Sequence, residues 1–204
     1  DDYPIHQTVE PVFHAATSDR NTYDRFWYNG HARDGSFYFG VALCRYPNLG
    51  ILDCSLSLAT GGRQYAFHGS RRAPLEPTDT TVGPFALHIL EPMGRHRVAL
   101  GPNDTGIECD LVFTPHTACI EEGRQTLRNQ RHLIMDVTRL DQFGSWEGWI
   151  RCDGKRLRVR FTQRPVRESL RDGGNWTVPV CYRQLGGGRV ECVTLTGESA
   201  EVDA

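Results

Sequence analysis

The chain has 204 residues, a formal net charge of −2 and 39% hydrophobic side chains. That length fits one large domain, or one domain with an appendage, able to bury about 70% of its unfolded surface. The balance excludes a strongly basic nucleic-acid binder, and no apolar run approaches the roughly 18 residues that a membrane helix needs.

Seven cysteines stand singly at 44, 54, 109, 119, 152, 181 and 192, with no CxxC pair. They read as reduced thiols rather than a disulfide framework. The N-terminal run DDYPIHQTVE is acidic and polar and shows no signal peptide. Both observations lead to the expectation of a cytoplasmic protein. Charge is uneven, with a net of −5 over residues 1–154 and +3 over residues 155–204. The positive tail carries no interleaved aromatics, so no nucleic-acid partner is expected.

Helical periodicity is nearly absent. Short alternating runs separated by turn signals predict strands at 25–31, 36–45, 50–58, 63–69, 82–90, 95–100, 106–113, 131–138, 143–152 and 155–162. The turns are Asp34-Gly35, Gly61-Gly62, Pro102-Asn103-Asp104 and Asp153-Gly154. Strand follows strand without a helix between, so the fold class is all-β with mainly antiparallel pairing. Residues 71–80 and 114–130 read as longer loops. Beyond residue 162 the pattern degrades, leaving one short helix (Val166 to Arg171) and one strand (Arg189 to Leu195).

Pairing across Asp34-Gly35 sorts the first hairpin into two faces. Phe26, Tyr28 and Gly30 join Phe37, Phe39, Val41 and Leu43 as core. Trp27, Asn29 and His31 join Ser36, Tyr38, Gly40, Ala42 and Cys44. The second face puts polar-tipped aromatics over small residues. Such a lining suits a cavity for a mostly apolar molecule. Equally, Trp27 fills the room above Gly40 and Ala42, and His31 caps the strand. Pairing across Asp153-Gly154 sets Gly148 and Ile150 opposite Val159 and Leu157, with Glu147, Trp149 and Arg151 facing Arg160, Arg158 and Arg156 on a solvated face.

The run FWYNGHARDGSFYFGVALCRYPNLG resembles the signature of the lipocalin-like family of carotenoid 1,2-hydratases (hydroxyneurosporene synthases) and AttH-like proteins. Members carry a WWY-x-x-GHL-like motif, here Phe26-Trp27-Tyr28-Asn29-Gly30-His31-Ala32. MDVTRLDQFGSWEGWIRCDG, residues 135–154, resembles the family's later strand pair, and LRDGGNW, residues 170–176, is loosely similar to its interdomain segment. The similarity spans roughly residues 20–160. It implies a lipocalin-like (calycin-type) barrel over 1–162, either the first half of a two-barrel protein or a divergent member of the family. Residues 163–204 would then be an interdomain segment or the start of a second, incomplete β domain. It also implies a cofactor-free enzyme that hydrates, isomerises or cyclises an isoprenoid- or polyketide-like substrate by protonating a double bond.

Such chemistry needs a carboxylic acid kept protonated by burial, beside aromatic faces that stabilise a carbocation. Asp136, sharing a strand face with His132 and Ile134, is the candidate acid, and His31 orients water or shares a proton. Asp53 is the alternative acid, on a face read as outward. Trp27, Asn29, Tyr38, His68 and Trp146 are the substrate-binding candidates. The alternative function is a non-catalytic binder or carrier of a lipophilic molecule. His88, Glu91 and His96 match no common zinc spacing, and no motif calls for a nucleotide or redox cofactor. The expected partner is a hydrophobic small molecule. The oligomeric state is left open.

Overall fold

The computed structural model describes residues 2–5, 11–32, 34–160, 180–186, 189–194 and 199–203. The expected helix over 166–171 lies outside them. The chain divides into two compact units, one of Asp1–Thr114 with Ser145–Thr162 and the other of Pro115–Gly144 with Gln163–Ala204. Residues 115–144, read above as part of one domain over 1–162, therefore group with the C-terminal residues.

The first unit is an antiparallel meander. Strands β1 (Asp24–His31), β2 (Phe37–Tyr46), β3 (Ile51–Thr60) and β4 (Arg63–Arg72) form a four-stranded sheet in chain order. Strands β5 (Thr81–Val82), β6 (Phe85–Glu91), β7 (Arg95–Leu100) and β8 (Glu108–Pro115) continue into a second sheet. That sheet is completed beyond β8 by β13 (Gly144–Cys152) and β14 (Lys155–Arg160). The second unit holds β9 (Ile120–Glu121) paired with β12 (Leu140–Asp141), and the hairpin of β10 (Gln125–Asn129) and β11 (His132–Val137). It also holds a three-stranded sheet of β15 (Val180–Gly186), β16 (Arg189–Thr194) and β17 (Ser199–Asp203). No helix occurs among the described residues.

The turns act as their composition dictates. Gly61 and Gly62 both take positive φ (57° and 71°), as do Asp153 and Gly154 (47° and 70°). Two left-handed residues match the twist of the flanking strands, which fixes the hairpin register. Gly148 accordingly opposes Val159, Ile150 opposes Leu157 and Trp149 opposes Arg158, the pairing expected from sequence. In the first hairpin His31 opposes Tyr38, Asn29 opposes Gly40 and Trp27 opposes Ala42.

One core joins the two sheets. Phe39, Val41, Leu43, Leu52, Leu56 and Leu58 from the first sheet pack in one cluster with Phe85, Leu87, Val98, Leu100, Leu111 and Ile150 from the second. Alternation produces this directly: Leu52, Cys54, Leu56 and Leu58 are buried along β3 while Asp53, Ser55 and Ser57 between them face out. Gly30 belongs in the core because a Cβ there would lie 2.6 Å from the Phe39 ring and 3.0 Å from Trp146 Cδ1. Its bareness lets those two rings meet edge-to-face, with centroids 5.3 Å apart. Trp146 Nε1–H donates to the backbone oxygen of Asn29 at 3.0 Å, tying β13 to β1. Trp146 is thus a core residue, 7% exposed, and not the substrate-binding residue expected. Gly148, at φ 134°, lets β13 approach β8 where a Cβ would sit 2.0 Å from the Asp110 carbonyl oxygen.

A buried polar chain crosses this core. Asp2 and His96 are both buried. The Asp2 carboxylate accepts from His96 Nε2–H and from the Met93 backbone N–H, the latter at 2.7 Å. In the tautomer that keeps its proton on Nε2 and donates it to this carboxylate, Nδ1 accepts from the Tyr28 hydroxyl. Burial, then the Asp2 charge, hold the Tyr28 phenol well above its ordinary pKa, so it stays a donor.

Candidate functional site

The face expected to line a cavity is the outer face of the first sheet. The core fills the other side, so Trp27 and Tyr38 stand in solvent, 55% and 46% exposed. The register builds this face row by row across β1, β2, β3 and β4. Trp27, Ala42, Ser55 and His68 form one row, and Asn29, Gly40, Ser57 and Ala66 the next. His31, Tyr38, Ala59 and Gln64 follow, with Arg25, Cys44, Asp53 and Ser70 on the other flank. The floor is therefore small side chains, and the tall ones rise from β1, β2 and β4.

Trp27 lies down on this floor. Its Cη2 comes within 3.5 Å of where a Gly40 Cβ would be. Arg25 lies over it, its guanidinium 5.7 Å from the centroids of both Trp27 and Tyr23. The far edge of the ring thus rests on the sheet, the guanidinium lies over the ring, and about half of the side chain stays exposed. Tyr38 stands four residues further along the strand direction, roughly 13 Å away at about 3.4 Å per residue. On the same face, over β3 and β4 and so across β2 from Trp27, an open recess of about 370 Å³ is lined by Asp53, Cys54, Ser55, His68, Gly69 and Ser70. It offers a carboxyl, an imidazole and two hydroxyls.

Electrostatics separates the candidate acids. Burial pushes the Asp53 carboxyl above its ordinary pKa, opposed by a hydrogen bond to Tyr46 and by the Arg25 charge. Asp136 behaves the other way. It is exposed on β11, in the second unit, and takes both Nε and a terminal nitrogen of Arg124 at 2.6 and 2.5 Å. That bidentate pair holds its carboxyl below the usual range. A proton donor to carbon needs the opposite, so Asp136 lacks the environment expected of the acid. His31 is exposed, with Nδ1 3.1 Å from the Ala32 carbonyl oxygen. Burial pushes the Cys44 thiol up to about 11, against a hydrogen bond to Tyr46, and so disfavours the thiolate.

Of the residues expected at the site, Trp27, Asn29, His31, Tyr38 and His68 share one face. Trp146 lies on the opposite side of the sheet, and Asp136 is not in this unit. His88 and His96 point to opposite faces, since His88 opposes Arg97 and His96 opposes Ile89. Among the described residues no three His, Cys, Asp or Glu side chains gather to hold a metal ion. Sequence reasoning missed Arg25, Ser55 and Ser70, whose place shows only when three registers are combined. It also missed the Asp2–His96–Tyr28 chain, whose partners are 94 and 68 residues apart.

Residues 1–185 match the model of a family described as being of unknown function, DUF8625. No curated protein and no solved structure matches the chain.

Proposed function

The chain belongs to this family of unknown function, and we propose that it binds a flat, largely apolar small molecule across the outer face of β1–β4 without transforming it. The observation that carries this reading is Trp27, resting over Gly40 with 55% of its surface exposed on the same sheet face as the recess. A large aromatic held at the surface on a floor of Gly, Ala and Ser gives a planar ligand apolar contact without prior rearrangement. Asn29, His31, His68 and Asp53 orient its polar groups. The resemblance of residues 26–32 to the carotenoid hydratase and AttH-like motif favours a polyene or isoprenoid ligand. It also favours a lipocalin-like closure of the two sheets into a barrel, which the seam between Trp146 and Asn29 and the shared core support.

Covering about half of each exposed ring, roughly 200 Å² together, stabilises a complex by at most about 5 kcal/mol at ~25 cal/mol/Å². With the cost of association set against it, contact with these two rings alone gives a dissociation constant no tighter than about 0.2 mM. The test is a tryptophan-fluorescence titration with a panel of polyenes and isoprenoid alcohols. Trp27→Ala should abolish saturable quenching, and Tyr38→Ala should weaken it. Equal titrations in both variants and the parent would sink the reading.

A second reading, catalysis by protonation of a double bond, is favoured by one observation. Asp53 is a carboxyl that burial raises, and it lies in the wall of the recess. Incubation in heavy water separates the two. Ligand recovered unchanged supports the carrier. Deuterium on carbon, lost in Asp53→Asn, would establish the enzyme.

A further inference from the structure

Arg45 is the charged residue that the inner face of the first sheet should not contain. It follows Phe37, Phe39, Val41 and Leu43 on the core side of β2 and is 2% exposed. One terminal nitrogen donates to the Pro74 backbone oxygen. No ion pair engages it among the described residues, and its Nε is buried without a hydrogen-bond partner. A buried guanidinium left with one neutral acceptor is costly, and folded proteins rarely leave such a group unsatisfied.

Arg71 repeats the pattern two strands away. Leu52 opposes both Arg45 and Arg71, so the two arginines flank Leu52 in one row on the same face. One terminal nitrogen of Arg71 meets Asp79 Oδ1 at 2.7 Å and Thr81 Oγ1 at 3.4 Å. Its Nε is likewise buried and unpartnered. The side chain is 33% exposed, so this end of the row opens to solvent. Residues 73–80 fold beside it, fixed by Ala73 N–H on the Gly50 oxygen at 2.8 Å and by the Thr80 hydroxyl on the Leu87 oxygen. Glu76 is turned to its own loop, accepting from the Thr78 N–H and hydroxyl at 3.0 and 2.7 Å. Burial, then the Arg71 charge, lower the Arg45 pKa, and the Asp79 and Glu76 charges offset this only in part.

We propose that a small oxyanion, a phosphate or carboxylate group, binds between Arg45 and Arg71 beside the 73–80 loop, its oxygens accepting the two buried Nε–H groups. The chemistry is that of arginine with planar or tetrahedral oxyanions, where more than one N–H reaches one ligand. The ligand enters from the Arg71 side and neutralises the Arg45 charge from above. Asp79 is a competitor, because it already occupies the outer edge of Arg71. This site lies on the inner face of the sheet, opposite to the Trp27 face, and stands independently of it.

The test is calorimetric titration of the whole chain with inorganic phosphate and, separately, sodium acetate, at constant ionic strength set with sodium chloride. Thermal midpoints are followed in parallel, since a ligand that binds only the folded state raises them with concentration. Saturable binding of either anion is expected, and which one binds tells phosphate from carboxylate. Arg71→Gln, at the open end of the site, should weaken that binding about tenfold or more. Asp79→Asn removes the competing carboxylate and should tighten it by about as much. No saturable response to either anion in the parent overturns the proposal. So does a binding constant unchanged in Arg71→Gln.

Discussion

Replacing Gly30 by alanine should destabilise the first unit by about 1–2 kcal/mol. The new Cβ would lie 2.6 Å from Phe39 Cε1 and Cζ and 3.0 Å from Trp146 Cδ1. Carbon atoms rest at about 3.5–4.0 Å, so one ring must retreat by roughly 1 Å. Neither has room. Phe39 is 1% exposed, and Trp146 is pinned by its hydrogen bond to Asn29. Overpacking of this kind costs about 1–3 kcal/mol, from which the stiffer unfolded chain of alanine recovers about 0.5–1. Urea unfolding followed by circular dichroism would measure it, and the thermal midpoint should fall by roughly 2–8 °C. Phe39→Leu removes the ring edge that clashes. The double variant should therefore lose less than the sum of the singles, by at least about 0.5 kcal/mol. A Gly30→Ala protein as stable as the parent, or strictly additive losses, would refute the packing argument.

Tyr28→Phe leaves His96 Nδ1 as a buried acceptor without its donor and should cost about 1–3 kcal/mol in the same assay, with no loss meaning that the chain contributes nothing. Gly148→Ala should be worse than Gly30→Ala, because its Cβ meets backbone at 2.0 Å and φ 134° is closed to side chains. Soluble, parent-like protein would contradict this. Asp79, hydrogen-bonded by Arg71 and Thr81, has its carboxyl lowered to about 2. Its folded pKa lies below the unfolded value of about 3.9, so its stabilisation is present above pH ~4 and lost as pH falls toward 2. The parent should thus lose stability faster than Asp79→Asn over that window, and parallel acid limbs would refute it. Burial pushes the Cys54 and Cys109 thiols up to about 12. Peptide mass spectrometry after iodoacetamide at pH 8 should find both unmodified until denaturant is added, and native labelling at either would overturn that.

The sequence makes the first unit legible where turn chemistry and alternation act together. Asp153-Gly154 fixes the β13–β14 register, and the parity of β1 and β2 assigns Phe39 and Leu43 to the core. The second face of β1–β2 misleads for a physical reason. Trp27 and Tyr38 are apolar enough to suggest an interior, yet alternation states only that they oppose the core. The loop expected over 114–130 contains β9 and β10. A two-residue strand, and five exposed residues reading QTLRN, carry no periodic signal. Asp136 sits in an apolar run, HLIMDV, that suggests burial. The hairpin instead exposes Leu133 and Ile134, and Arg124, twelve residues earlier, supplies the partner. Asp2 and Arg45 depend on partners far along the chain, which no local pattern encodes.

The first unit loses its chain after Thr114 and regains it at Ser145, and the strands on either side of that gap, β8 and β13, are neighbours in one sheet. The thirty residues between behave as an insertion spliced into a hairpin, contributing no side chain to the core that both strands share. The cut ends lie about one strand spacing apart, a gap that a tight turn can bridge. Residues 115–144 can therefore be exchanged for a short Gly-containing connection, or for a reporter domain, at little entropic cost to the meander. A sequence that varies here in length while keeping Gly30, Gly148 and Trp146 would still build the same sheet.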